Sequence, residues 1–364
     1  MRGKPDVPGY KARLDGVGSK MDEKKLGALL VTDIKNIRYL SGFTGSSAYI
    51  LLSKGKRWFL TDPRYATQAG EEVKGFNIKI YKKKALDTIA GLMAAPSARP
   101  IGFESDNISF DAYGKLKKGL PGAKLKPAPG IIADLRKRKD PFEVRRIRDS
   151  VGVLDAGFEK AMRLLKPGAI EREAALEIEF VFKEKGAEGL AFDTIIASGP
   201  RGALPHGKAS SKKIKKGELV VVDMGALKDG YNSDETRTFS IGRPSTEQRK
   251  VYGVVKDAQA KAIDAIRPGV KASAVDAAAR GHIKKAGYGK FFGHGTGHGV
   301  GLEIHEGPAI SPLSREVLEE GMVITIEPGI YLPGSFGVRI EDMALVTRDG
   351  CEVLTRTSRE LVSL

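Results

Sequence analysis

Three of the five histidines in this 364-residue chain fall within His294–His305, in the run Phe292-Gly-His-Gly-Thr-Gly-His-Gly-Val-Gly-Leu-Glu-Ile-His-Glu306. Gly293, Gly295, Gly297, Gly299 and Gly301 leave bare backbone beside the imidazoles, as a ligand pocket requires. A lone histidine in such a loop is more often a satisfied surface group. Three together predict a metal or catalytic site, and its other groups must come from elsewhere in the chain.

Four carboxylates are the candidates. Asp223 lies in Leu219-Val-Val-Val-Asp-Met224, which reads as a fully buried strand. A charge there is costly unless it is paired or bound to a cation. Asp234 lies in Tyr231-Asn-Ser-Asp-Glu-Thr-Arg-Thr-Phe239, which reads as an alternating strand, after the hairpin signal Lys228-Asp-Gly230. Folding about that turn puts both aspartates on one face, within about one register step. Backbone donors could satisfy one buried aspartate, but two on one face repel and call for positive charge between them. The pattern recurs: Glu327 ends the strand Met322–Glu327, and Glu341 closes Gly337-Val-Arg-Ile-Glu341. With His298 these four form an oxygen-rich set of five ligands. It is too anionic for one metal and suits two divalent ions bridged by shared carboxylates and a hydroxide. Manganese is the expected metal, with cobalt, iron or zinc as alternatives. Two ions ~4 Å apart would activate the bridging water and clamp a tetrahedral intermediate, which is hydrolase chemistry on a carbonyl or phosphoryl group.

The elements that must position these residues are legible in outline. Residues 1–20, rich in glycine and charge, are expected to be poorly ordered. A first domain over 21–130 alternates strands (Gly27–Val31, Ala48–Leu52, Arg57–Leu60, Asn77–Tyr81) with helices (Pro63–Glu72, Ala85–Ala94). Pro121–Gly130 reads as a boundary. A second domain over 140–364 opens with the helix start Asp140-Pro-Phe-Glu143 and a helix running to Leu165. This domain repeats itself. Leu165-Lys-Pro-Gly168 is echoed by Ile266-Arg-Pro-Gly269, Gly217–Asp223 by Gly321–Glu327, and Leu204-Pro-His206 by Glu303-Ile-His305. Two half-units about an approximate two-fold axis would bring the strand-end carboxylates together.

Composition narrows the classes. The single cysteine, Cys351, excludes an intramolecular disulfide and a cysteine-type zinc site, and it fits a reducing compartment. There is no apolar run after the charged N-terminus and none long enough to span a membrane, so the reading is a cytoplasmic protein with no membrane partner. The net charge of +16 raises nucleic-acid binding. Its densest runs, Lys82–Lys84, Arg136–Lys139 and Lys212–Lys216, are not interleaved with aromatics, so no specific nucleic acid is expected. Gly293–Gly301 never satisfies G-x-G-x-x-G, and Phe43-Thr-Gly-Ser46 lacks the lysine of a P-loop.

Ser198–His206, Asp223-Met-Gly225, Ser233–Thr238, His294–Gly301, Ile304-His-Glu306, Thr325–Tyr331 and Val338–Asp342 together resemble, in order, the metal-dependent peptidases of pita-bread fold. That family includes methionine aminopeptidase, prolidase and aminopeptidase P. Ile37–Ser46 and Leu60–Tyr65 are similar to the N-terminal domain of aminopeptidase P and prolidase. The resemblance implies an α+β protein: a pita-bread catalytic domain of pseudo-two-fold symmetry behind a smaller N-terminal α/β domain of the creatinase/aminopeptidase P type. It implies that Asp234 and Glu341 bridge two metals, that Asp223 completes one shell, and that His298 and Glu327 complete the other. Glu327 would be the general base. His206 and His305 would bind the scissile carbonyl, and His294 would face the prolyl side. Arg339 would orient ligand carboxylates, and Tyr331 would line the site. The family is commonly dimeric, which implies a homodimer.

Methionine aminopeptidases usually lack an N-terminal domain and a counterpart of His294, and creatinases lack the five ligands, so both are disfavoured. Arg201 stands where the family often has asparagine. Phe43-Thr-Gly-Ser46 and Thr61-Asp-Pro-Arg-Tyr65 favour an Xaa-Pro aminopeptidase acting on peptides with proline second. A prolidase limited to dipeptides is the alternative, and a non-catalytic binding module of the same fold is a more distant one. His282 belongs to no motif.

Overall fold

The structure, a computed structural model, describes residues 8–53, 55–93 and 100–364. Its contacts divide the chain between Arg136 and Lys137. Residues 1–7 and Ala94 lie outside the described part.

The N-terminal unit opens with a helix, Tyr10–Glu23, where the expectation was a poorly ordered leader. Leu14, Val17 and Met21 bury one face of it. Arg13 donates to the Tyr39 carbonyl at 2.7 Å and lies 4.3 Å from the Tyr39 ring centroid. Gly16 and Gly18 dilute this apolar face in the sequence, yet a methyl at Gly16 would already lie 3.3 Å from Leu135. The expected strands form as Ala28–Val31, Ala48–Ser53, Lys56–Thr61 and Asn77–Ile80, joined by Ile101–Phe103 and Leu125–Pro127 in one six-stranded mixed sheet. The stretch 121–130, expected to be a boundary, thus carries an edge strand paired with Ile101–Phe103.

Two similar halves make up the C-terminal unit. In the first, helix Pro141–Leu164 starts on a capping box between Asp140 and Glu143 and is followed by helix Glu171–Glu184. Both pack on a sheet of Ile195–Ser198, Leu219–Met224 and Glu235–Ser240. In the second, helices Thr246–Asp264 and Ala272–Lys285 pack on a sheet whose central strands are Gly297–Gly299, Val323–Ile326 and Asp342–Val346. The repeat extends to fine detail. Gly168 N–H donates to Ile214 at 2.8 Å and Gly269 N–H to Leu318 at 2.9 Å, and a β-bridge follows each (Ile170 with Lys213, Lys271 with Val317).

The halves meet where strands Glu235–Ser240 and Phe336–Arg339 lie side by side. The Thr238 hydroxyl donates to the Arg339 carbonyl at 2.9 Å, and Glu341 N–H donates to the Thr236 carbonyl at 3.1 Å. Leu219–Met224 and Glu235–Ser240 are buried along their whole length, so the alternation expected for residues 231–239 does not separate a wet face from a dry one. Among the described residues no helix is long and apolar enough to cross a membrane.

Strand Gly297–Gly299 packs so closely on its neighbour that a methyl at Gly297 would lie 1.9 Å from the Thr325 carbonyl oxygen. Gly297→Ala is therefore expected to destabilise the protein by about 2–3 kcal/mol. The check is a lower urea midpoint with an unchanged slope.

Candidate metal centre

Both halves deliver carboxylates to their junction. Asp229 and Gly230, with φ of 51° and 79°, turn the chain between strands Ala226–Lys228 and Tyr231–Asn232. Past a break, the main ladder sets Thr236 opposite Asp223. Asp234 precedes this ladder by one residue and falls diagonally from Asp223 on the same face. The break has a cause: a methyl at Gly225 would lie 2.4 Å from the Ser233 carbonyl oxygen, and Ser233 Oγ takes the Ala226 N–H at 3.1 Å. Asp234 thus leaves the ladder instead of continuing the single strand expected over 231–239. In the second half, Glu327 follows Val323–Ile326, and Glu341 lies between Phe336–Arg339 and Asp342–Val346.

One cavity of about 480 Å³ is lined by Asp223, Asp234, Glu327 and Glu341, by His206, His294, His298 and His305, and by Tyr331 and Arg339. All ten residues singled out from the sequence are therefore brought together. A larger cavity, of about 880 Å³, sits in the N-terminal unit against helix Tyr10–Glu23. Its described lining holds no histidine and carries no such cluster.

Each histidine differs in what it can still offer. His298 Nδ1 lies 3.1 Å from the Gly299 carbonyl, an obligate acceptor, so Nδ1 bears the proton and Nε2 keeps its lone pair. That lone pair lies 3.4 Å from Glu327 Oε1 and 3.6 Å from Asp234 Oδ2. Burial pushes the His298 pKa down, so these close approaches are not ion pairs of a charged imidazole. Such a spacing of donor atoms suits a shared cation. His294 Nδ1 lies 2.7 Å from the Gly295 carbonyl, and Nε2 lies 2.9 Å from the Tyr331 hydroxyl. Both nitrogens are thus used inside the protein, and burial lowers the pKa of this imidazole as well. His305 stacks edge-on against His298 at 4.4 Å, and His206 follows the turn Gly199–Ala203; both are exposed.

Arg339 is the cation among the acids. Its guanidinium donates to Asp223 Oδ2 at 2.6 Å, the Tyr331 hydroxyl at 2.9 Å, the Pro205 carbonyl at 3.1 Å and Thr236 Oγ1 at 3.1 Å. Thr236 Oγ1 donates in turn to Glu341 Oε2 at 2.7 Å. Thr325 Oγ1 similarly takes the His298 N–H at 3.1 Å and donates to Glu327 at 3.3 Å. These two threonines were not singled out from the sequence; their signal was the strand position two residues from a ligand carboxylate.

The donor set fits divalent cations. Asp223 Oδ1 is buried without a hydrogen-bond partner. Asp234, His298 and Glu341 offer donor atoms that all lie within 4.8 Å of one another. Burial, then repulsion from neighbouring acids, raises the carboxyl pKa of Asp234 and Glu341 well above the usual range. Burial also raises Glu327, against the pull of His294 and Arg339. Tyr331 is pushed to about 12 by the same desolvation.

This architecture defines a metal-dependent peptidase. The chain belongs to metallopeptidase family M24, whose model matches residues 145–348; the creatinase/prolidase N-terminal domain matches residues 13–138. It is 41% identical over 342 residues to a Xaa-Pro dipeptidase of Pyrococcus horikoshii, covering 94% of this chain and 96% of that one. The structure of a Xaa-Pro dipeptidase from Bacillus anthracis superposes with a TM-score of 0.95 at 38% identity, covering 98% and 100% of the two chains. An X-Pro aminopeptidase from Thermotoga maritima gives a TM-score of 0.86 at 37% identity, covering 95% and 98%.

These findings overturn the preference for an aminopeptidase, because the relatives and solved structures from Pyrococcus, at 39–41% identity, are Xaa-Pro dipeptidases or prolidases. The residues behind that preference lie wholly in the N-terminal unit. There Phe43 packs on Tyr65 at 5.6 Å, and the Ser46 and Tyr65 hydroxyls share a hydrogen bond of 2.6 Å. Both contacts are internal to that unit.

The raised pKa of Asp234 has a defined sign. Metal-free folded protein holds that proton more tightly than the unfolded chain. The stabilisation is complete below about pH 4 and is lost as pH rises through the raised value. In chelator at pH 7, Asp234→Asn is expected to melt several degrees above the wild type, with the gap closing toward pH 4. A wild type that melts as high as the variant at pH 7 contradicts this account.

Proposed function

We propose that the protein is a Xaa-Pro dipeptidase that holds two divalent ions, manganese by preference, on Asp223, Asp234, His298, Glu327 and Glu341. The observation behind this reading is the convergence of four carboxylates and one imidazole lone pair in a single cavity, one of them with a buried, unpartnered oxygen. The names of close relatives supply the substrate class. On the family resemblance, Asp234 and Glu341 would be shared ligands, Asp223 would hold one ion, and His298 with Glu327 would hold the other. When bound, the ions activate water and polarise the scissile carbonyl.

The chain's own groups do the rest. Glu327 takes the proton from the attacking water and returns it toward the leaving nitrogen. His206 and His305, exposed at the cavity, donate to the carbonyl oxygen as charge develops on it. His294 offers its ring instead of a nitrogen to the substrate, and Phe192 and Ile195 add an apolar wall suited to a prolyl ring. Arg339 holds Asp223 and Tyr331 in place. A homodimer and a cytoplasmic setting belong to the same reading, supported by the family resemblance and the single cysteine.

Manganese-loaded protein is expected to hydrolyse Xaa-Pro dipeptides and to leave Xaa-Pro-Xaa tripeptides essentially intact. Asp234→Asn should lower kcat at least about 10³-fold, because both metal shells lose a shared ligand. Cleavage of tripeptides at a rate like that of dipeptides would sink the dipeptidase reading. Full activity in Asp234→Asn would sink the metal assignment.

A further inference from the structure

We infer that Lys208 receives the free carboxylate of the dipeptide, an assignment that rests on the dipeptidase reading and names its specificity residue. In an Xaa-Pro dipeptide the carboxylate carbon lies roughly 2.5 Å from the scissile nitrogen, so it enters the same cavity as the reacting bond. That cavity already holds four carboxylates, and a further anion needs a cation that they do not occupy. Arg339 is engaged at all three nitrogens, on Thr236, Pro205, Tyr331 and Asp223, and is already paired with a site carboxylate. The other permanent cation in the described lining is Lys208.

Lys208 combines a held backbone with a solvent-exposed head. Its carbonyl accepts from the Arg201 guanidinium, and Arg201 Nε donates to Glu171 Oε2 at 3.0 Å. Glu171 is fully buried and also takes the N–H groups of Ser198 and Ser210, on either side of the loop, at 2.8 and 3.1 Å. Arg201, where the family often has asparagine, thus positions the backbone at Lys208. The ammonium meets Asp193 at 2.5 Å, but the two side chains are 76% and 70% exposed. A pair so wet is weak and easily exchanged for a substrate carboxylate, and Asp193 lines the same cavity. A longer peptide carries an uncharged amide at this point and gains nothing from the lysine.

The test compares Xaa-Pro with Xaa-Pro-amide on the manganese-loaded enzyme, in wild type, Lys208→Met, Lys208→Arg and Asp193→Asn. Wild type is expected to favour the acid over the amide in kcat/KM by about tenfold or more, as expected for a charge-assisted hydrogen bond. Lys208→Met should lose that preference through a raised KM for the acid, and Lys208→Arg should restore most of it. Asp193→Asn, which removes the competing carboxylate, should lower KM for the acid. Full preference in Lys208→Met, equal use of acid and amide by the wild type, or a raised KM in Asp193→Asn would each overturn the inference and leave the dipeptidase reading standing. A wild type that cleaves no Xaa-Pro dipeptide overturns both.

Discussion

The guanidinium of Arg339, buried among carboxylates, is the contact on which the catalytic unit turns. It joins Asp223 of the first half to Tyr331 of the second, reaches Glu341 through Thr236, and holds the Pro205 carbonyl just before His206. One positive charge cannot neutralise four acids. Burial, and then repulsion among the acids, raises the carboxyl pKa values of Asp234 and Glu341, burial raises that of Glu327, and one oxygen of Asp223 is left without a partner. The fold thus carries an electrostatic deficit that divalent cations relieve.

The two-half architecture explains how such a costly cluster is assembled. Each half has its own apolar core and could pack its helices on its sheet alone, but only the junction brings strand ends from both to one place. A second buried arginine fastens the junction from the other side. Arg237 donates to Asp342 at 2.7 Å, to the Glu341 carbonyl and to the Thr357 carbonyl at 2.6 Å, and it lies 2.8 Å from Glu235. Arg237 and Arg339 occupy opposite sides of the ligand strands. Their rigid, always-charged forks suit them to fix backbone and carboxylate together.

Substrate length and metal chemistry are written in different places. The five residues proposed as ligands come from strand ends of both halves of the C-terminal unit. The N-terminal motifs that suggested an aminopeptidase serve packing within their own unit. The exposed pair of Lys208 and Asp193 lies in the lining of the catalytic cavity itself, on a loop held through Arg201 and Glu171.

From the sequence alone, the ligand carboxylates were recoverable because a charge inside an all-apolar strand such as Leu219–Met224 has no cheap structural explanation. The internal repeat was readable for a related reason: each Pro-Gly junction must make the same turn between two helices, so the same residues recur. Other features were not local. The Tyr10–Glu23 helix shows its buried face only once Leu135 and Tyr39 are packed against it. The break that frees Asp234 from its ladder depends on how closely Gly225 meets Ser233. The roles of Thr236 and Thr325, and the route from Glu171 through Arg201 to Lys208, join residues that nothing in the linear pattern connects. Residue type and spacing determined which chemistry was available. Tertiary packing decided which atoms face one another, because hydrogen bonds and charge–charge contacts depend on distances that only the folded chain sets.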